Sequence, residues 1–275
     1  MPVSSQTEVI GESRSAVNFR DKGPYSSRNT SKGALVDETA KVLNELLRTD
    51  VIADVRRQVL TGSLLPQRSR NTRRHIWTAI NRRYLSLLPN WAVNDLAVSA
   101  RDFPNNRSLI SLIYLHFCLR DRLTYDFVTR VVWRHWLQNR LNISREDVLS
   151  FLDEAAGEHP QIRVWSTSSR LKLAGNVLTA LRDFGLLGGV QRKLIIKPDL
   201  PVATVEHLVR LEATEGLKGV EVLQSSDWKL FLRTENEVAE LLQKLSSPGG
   251  IRFERVGTTV LLNTPPEWTD TNDKI

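Results

Sequence analysis

Between Arg68 and Arg83 the chain reads RSRNTRRHIWTAINRR, with six arginines and no carboxylate. Arginine stays charged and presents a planar fork of donors, so such a run suits bidentate contact with phosphate oxygens and guanine edges. The residues expected to touch DNA here are Arg68, Arg70, Asn71, Arg73, Arg74 and Arg82. Groups of this kind recognise a partner only when a rigid element aims them. Ser69 stands where a helix N-cap belongs, since its hydroxyl can accept a first-turn amide. On a helix starting there, Ile76, Ile80, Tyr84 and Leu87 form one apolar stripe at helical spacing. Arg74, Thr78, Asn81 and Arg82 fall on the opposite side, with Arg70 and Asn71 near its N-terminal end. Arg73 and Arg83 lie at the stripe's edges, where stems pack and charged heads reach the rim.

Charge along the chain points the same way. Residues 1–54 carry 7 basic and 8 acidic side chains, residues 55–145 carry 16 and 4, and residues 146–275 carry 15 and 19. The windows give −1, +12 and −4, which sum to the net +7. Every basic residue of the middle window is arginine, whereas a merely solvated helical face mixes lysine, arginine and glutamate. Such a footprint reads as nucleic-acid binding. Charge alone does not separate duplex DNA from RNA, nor either of them from an acidic partner protein met by an interaction scaffold.

With 41% hydrophobic residues in 275, the chain can bury a full core. The single cysteine, Cys118, excludes an internal disulfide and fits a reducing, cytoplasmic setting. Met1 to Gly33 has no apolar run of the signal-peptide kind. The longest apolar-leaning stretch, Leu109 to Leu119, is about half of what a membrane span requires, so no membrane is expected as a partner. His116 and Cys118 lack a second ligand pair and read as core, and no cofactor is expected.

The periodicities predict a mainly α fold: a helical bundle with helix-turn-helix and winged-helix elements and short hairpin wings, plus a small α+β winged domain at the C-terminus. Residues 1–30 read as a flexible arm, in which Arg14, Arg20, Lys22 and Arg28 are cations free to brush phosphate. Residues 31–200 read as the helical DNA-binding core and 201–275 as the C-terminal domain. Within the core, helices are expected over 34–48, from a cap at Asp50 to Thr61, from Ser69 to Pro89, from Asn90 to Ala100, over Ser108–Leu119 and over Leu123–Leu137. A capping pair Ser144/Asp147 opens the next, and a long one runs from Ser168 to Leu186. Ser169 and Lys172 on its outer face, with a strand Val190–Lys197 bearing Arg192, Lys193 and Lys197, form a second expected DNA-contacting surface. Farther on, Gly219–Leu223 and Trp228–Leu232 read as short strands, the second also compatible with a helical turn. Thr234 and Glu237 form a capping box, and strands follow at Ile251–Val256 and Thr259–Leu262.

Several of these pieces occur in an order that resembles the BrxA family, a component of the BREX bacteriophage-exclusion systems of bacteria. They are Tyr25-Ser-Ser with Gly33-Ala-Leu, then Leu64-Leu-Pro-Gln-Arg-Ser with Thr72, then Arg83-Tyr-Leu-Ser-Leu-Leu. Trp165-Ser-x-Ser, Arg170-Leu-x-Leu and Leu178-x-x-Leu-x-x-x-Gly185-Leu-Leu complete the set. The resemblance runs from about Tyr25 to Pro201. It implies a mostly helical, non-enzymatic protein that binds double-stranded DNA beside the system's methyltransferase, ATPase and phosphatase-like subunits. One enzymatic arrangement competes with it: Pro198-Asp199 followed by Asp227-Trp-Lys229 has the order of a metal-dependent nuclease. That motif is too short to carry an assignment.

Overall fold

Apolar residues at helical spacing dominate the chain, and helices dominate the computed structural model, which describes residues 17–26, 32–65, 69–105, 107–247 and 250–268. The first three helices, α1 (Val36–Thr49), α2 (Ile52–Thr61) and α3 (Arg70–Ile80), pack in sequence against one another. Asp50 does not cap α2 as expected. It adopts a left-handed conformation (φ 53°) and its amide donates to the Leu46 carbonyl, closing α1. Ser69 does cap α3: its hydroxyl accepts the Thr72 amide at 3.2 Å. The stripe of α3 is buried as its spacing requires, with Ile76, Ile80, Tyr84 and Leu87 all in the core. Its last turn, Asn81–Leu85, is π-helical.

Next come α4 (Trp91–Ala100) and α5 (Ser108–Leu119), the latter buried almost all round. Then α6 (Arg122–Asp126) continues through a π-helical Phe127–Val132 into α7 (Trp133–Leu137). As expected, Val128, Val131, Val132 and His135 face inward, Arg130 and Arg134 outward, and Trp133 and Trp136 pack against the core.

A second group is built from β1 (Asn142–Ile143), α8 (Arg145–Ala155), α9 (Thr167–Asp183), β2 (Leu187–Gly188) and β3 (Lys193–Ile195). Its sheet is antiparallel in the order β1-β3-β2. The Ser144/Asp147 capping box opens α8. The start of α9 lies earlier than expected because Ser166 is its cap. Val190–Lys197 is not one strand but the turn and second arm of a hairpin. Gly189 sits at φ 82°, and a Cβ there would lie 2.2 Å from the Arg192 carbonyl oxygen, so only glycine makes this turn.

After Pro201, α10 (Val202–Thr214) packs on α4 and α5, and α11 (Val220–Leu223), a 3₁₀ segment Ser226–Phe231 and α12 (Glu235–Leu245) follow. The hairpin of β4 (Arg252–Val256) and β5 (Thr259–Asn263) closes the fold, and the expected Thr234/Glu237 capping box opens α12. Neither Gly219–Leu223 nor Trp228–Leu232 is a strand. Short apolar runs do not distinguish strand from helix, and here the Trp228 indole donates to the Val222 carbonyl at 2.7 Å, folding the two segments into helical turns.

One apolar core runs from Phe19 to Phe253 across the boundary expected near residue 200. Within residues 17–26, which the sequence reading placed in the arm, Phe19 and Tyr25 are buried. Arg20 does not brush phosphate. It donates to both carboxylate oxygens of Glu215 and to both of Asp227, at 2.6–2.9 Å. Burial works against the Arg20 charge, but the hydrogen bonds and attraction of Asp227 and Glu215 outweigh it and hold its pKa above the ordinary value. Tyr125 completes the network, donating to Asp227 at 2.7 Å. Arg14 and Arg28 lie outside the described residues.

Asp227 is 1% exposed, so removing its main counter-charge leaves a buried carboxylate uncompensated. Arg20→Ala is expected to lower unfolding free energy by about 3 kcal/mol, and Arg20→Met with Asp227→Asn to recover part of it. An unchanged urea midpoint in Arg20→Ala would refute this. Burial also pushes the Asp121 carboxyl up to about 7, against the pull of the Thr124 hydroxyl and the Arg83 charge. A carboxyl more easily protonated in the fold contributes stability that is full below its unfolded value of about 4 and lost as pH rises through its folded value. Asp121→Asn should therefore flatten the fall in stability across that window. An unaltered pH profile in denaturation experiments would count against it.

Candidate nucleic-acid interface

Gly62 ends α2 in the left-handed region (φ 94°) and lets the chain turn back toward α3. The connection to Ser69 is longer than the three or four residues of a helix-turn-helix, and a side chain sets the pairing instead. Arg73 lies half-buried between the helices and its Nε donates to the Leu60 carbonyl at 3.2 Å. Its guanidinium passes so close to Gly62 that a Cβ there would sit 3.1 Å from Cζ and Nη1. Arg73 is thus a strut as well as a cation.

The two helices enclose a cleft of about 530 Å³ lined by Ala53, Leu60, Thr61 and four arginines: Arg56, Arg57, Arg70 and Arg73. Among the described residues its lining contains no carboxylate. Arg57 forms an ion pair with Asp54 at 2.8 Å beside it. On the outer face of α3, Asn71, Arg74 and Thr78 are exposed, and the Thr78 hydroxyl is turned back to the Arg74 carbonyl. Packed guanidiniums of one sign form a concave positive field, which attracts phosphate oxygens strongly and other anions less selectively.

The expected site residues therefore divide. Arg70 and Arg73 share the cleft, and Asn71 and Arg74 occupy the adjoining exposed face. Arg82, half-buried on the π-helical turn, is about 12 Å beyond Arg74 along the axis and belongs to neither. Arg83 is not at a rim: it is wholly buried, donating to the Gly33 carbonyl at 2.9 Å beneath the Phe117 ring at 4.8 Å. Burial lowers its pKa from the ordinary arginine value. Arg68 lies outside the described residues.

Ser169 and Lys172 are exposed on α9, in the other helical group. Ser169 is occupied locally, its amide and hydroxyl both bonded to the Ser166 hydroxyl. Lys197 is held by an ion pair with Glu237, which takes it out of the expected basic strand. Sequence reasoning missed Arg56 and Arg57 as site residues. The arginine-only window of residues 55–145 contains both, but only the folding of α2 against α3 aims them into one cleft.

The chain is a mainly helical protein with small antiparallel sheets and an arginine-lined cleft between α2 and α3. It belongs to the BrxA family, whose pattern matches residues 23–212, and is thereby a BREX-associated protein of antiviral defence. In fold it is similar to an uncharacterized protein from Magnetospirillum magneticum, with a TM-score of 0.60 and 17% identity over 77% of this chain and 100% of that one. No curated protein sequence matches it. Among the described residues no helix is long and apolar enough to cross a membrane.

Gly62→Ala should destabilise the α2–α3 pair, through the left-handed backbone and the crowding of Arg73 together, by about 1–2 kcal/mol. A urea midpoint equal to that of the unsubstituted protein would show that the strut tolerates displacement.

Proposed function

We propose that this protein is a non-enzymatic double-stranded-DNA-binding component of a BREX defence system, engaging DNA through the α2–α3 cleft and the outer face of α3. The observation that carries the reading is the convergence of Arg56, Arg57, Arg70 and Arg73 on one cleft without a lining carboxylate, beside exposed Asn71 and Arg74. An 11-residue helix is about 16 Å long, and its exposed face fits a major groove about 12 Å wide. Arginines in the cleft would then hold the flanking backbone, while Asn71 and Arg74 reach base edges. The succession of α8, α9 and the β2–β3 hairpin reads as a winged helix, which offers Lys172 and Arg192 as further backbone contacts.

The carboxylates whose order suits a nuclease are used elsewhere, which favours the non-enzymatic reading. Asp199 is exposed and pairs with Arg107 at 3.0 Å, while Asp227 is buried under Arg20 and Tyr125. Lys229 donates to Ser226.

Duplex binding measured against salt tests the proposal. Each phosphate contact contributes about 0.9 to the slope of log affinity against log salt. Arg70→Ala with Arg74→Ala should weaken binding and flatten the slope by up to about 1.8, with Lys172→Ala doing less. Unchanged slope and affinity in the double variant would move the site off α3. Preference for RNA or single strands of matched length would replace the duplex reading, and no binding of any of them at low salt would refute nucleic-acid binding.

A further inference from the structure

A cavity of about 720 Å³ lies between β1, the start of α8, one face of α9 and the turn of the β2–β3 hairpin. Four cations line it from three elements: Arg145 at the start of α8, Arg182 in the last turns of α9, and Arg192 and Lys193 from the hairpin. Glu146 is the one acid among its described lining residues. Arg182 has Asp183 beside it at 2.9 Å. Burial, then the charges of Arg182 and Arg145, pull the Lys193 ammonium below its ordinary value against the opposing effect of Asp183. Cations are thus crowded around the cavity closely enough to disfavour one another. The amide-rich start of α8 is not what draws a ligand, because Ser144 and Asp147 already cap it.

The second observation is Gly175, in the middle of α9 and on the cavity wall. Glycine inside a helix costs about 1 kcal/mol relative to alanine. No packing constraint demands it: a Cβ there would rest at an ordinary 3.8 Å from the Arg145 guanidinium. The space left open serves the cavity. Buried Ile143 and Leu178 supply an apolar wall, and Asn142, Thr179 and Gln191 supply neutral polar groups. A volume in this range accommodates a small organic ligand.

We infer that this cavity binds a phosphate-bearing ligand of about nucleotide size, its phosphates among Arg145, Arg182, Arg192 and Lys193 and its organic part against Ile143, Leu178 and Gly175. The inference does not rest on the DNA-binding role of α3. The phosphate can come from a free nucleotide or from the backbone of a nucleic acid, and the chemistry recognised is the same.

The unsubstituted protein, Gly175→Met, Arg145→Gln with Arg182→Gln, and Arg70→Ala with Arg74→Ala are titrated calorimetrically with inorganic triphosphate. Each is also titrated with duplex DNA in the presence and absence of that anion. Gly175→Met fills the cavity from a position where glycine disfavours the helix, so its melting temperature should equal or exceed that of the unsubstituted protein. Triphosphate affinity should fall about tenfold or more in the two cavity variants, the loss expected when charge-assisted contacts go, and stay unchanged in the α3 variant. Duplex binding unaltered in the cavity variants identifies a free phosphorylated ligand. Duplex binding weakened there, and competed by triphosphate, identifies a nucleic-acid phosphate. Triphosphate that does not bind the unsubstituted protein, binds the cavity variants equally well, or is lost only in the α3 variant overturns the inference.

Discussion

Arg83 fixes the rotational setting of the arginine helix. Its guanidinium is enclosed, bonded to the Gly33 carbonyl and covered by Phe117. A charge in that position has no second place to go, because turning the helix would strip it of its hydrogen bond inside low-dielectric surroundings. With Arg83 held inward beside Ile76, Ile80, Tyr84 and Leu87, the positions on the far side must be Asn71, Arg74 and Thr78. One buried cation thereby determines which of its neighbours meet solvent. The Arg73 strut adds the second restraint by tying α3 to the end of α2.

The ends of the chain are joined by a different polar cluster. Arg20 spans Glu215 and Asp227, so the N-terminal segment, α6 through Tyr125, and the region after α10 meet at one point. Glu212, buried nearby, is pushed well above the ordinary carboxylate range by burial and by the Asp227 charge. A third polar tie, His116 to His207 to Asp95, links α5, α10 and α4 at 2.8 Å per contact. These contacts make the segment after Pro201 part of the same packed body as the helices that carry the arginine cleft.

Two basic concavities result, and they differ in kind. The α2–α3 cleft takes all its charge from arginine, is open and is suited to a repeating backbone. The cavity beneath the β2–β3 hairpin combines cations with an apolar wall and a glycine floor, which suits a bounded ligand.

Helix positions, both capping boxes, the Ser69 cap and the buried stripe of α3 were legible in the residues because each depends on near neighbours in sequence. So was the arginine-only window, which is a matter of composition, and with it the family resemblance. The burial of Arg83 was not legible: its spacing places it at the stripe's edge, and only the Gly33 carbonyl and the Phe117 ring, brought from elsewhere, make a buried place tenable for its charge. Nor could local pattern decide that Val190–Lys197 folds into a hairpin, that the runs at 219–223 and 228–232 become helical turns, or that Arg20 is spent on Asp227 rather than on solvent. Sequence alone set where charge and periodicity lie. Which charges face outward, and which meet across a cleft, depended on long-range packing, because burial and ion pairing are settled by partners far away in the chain.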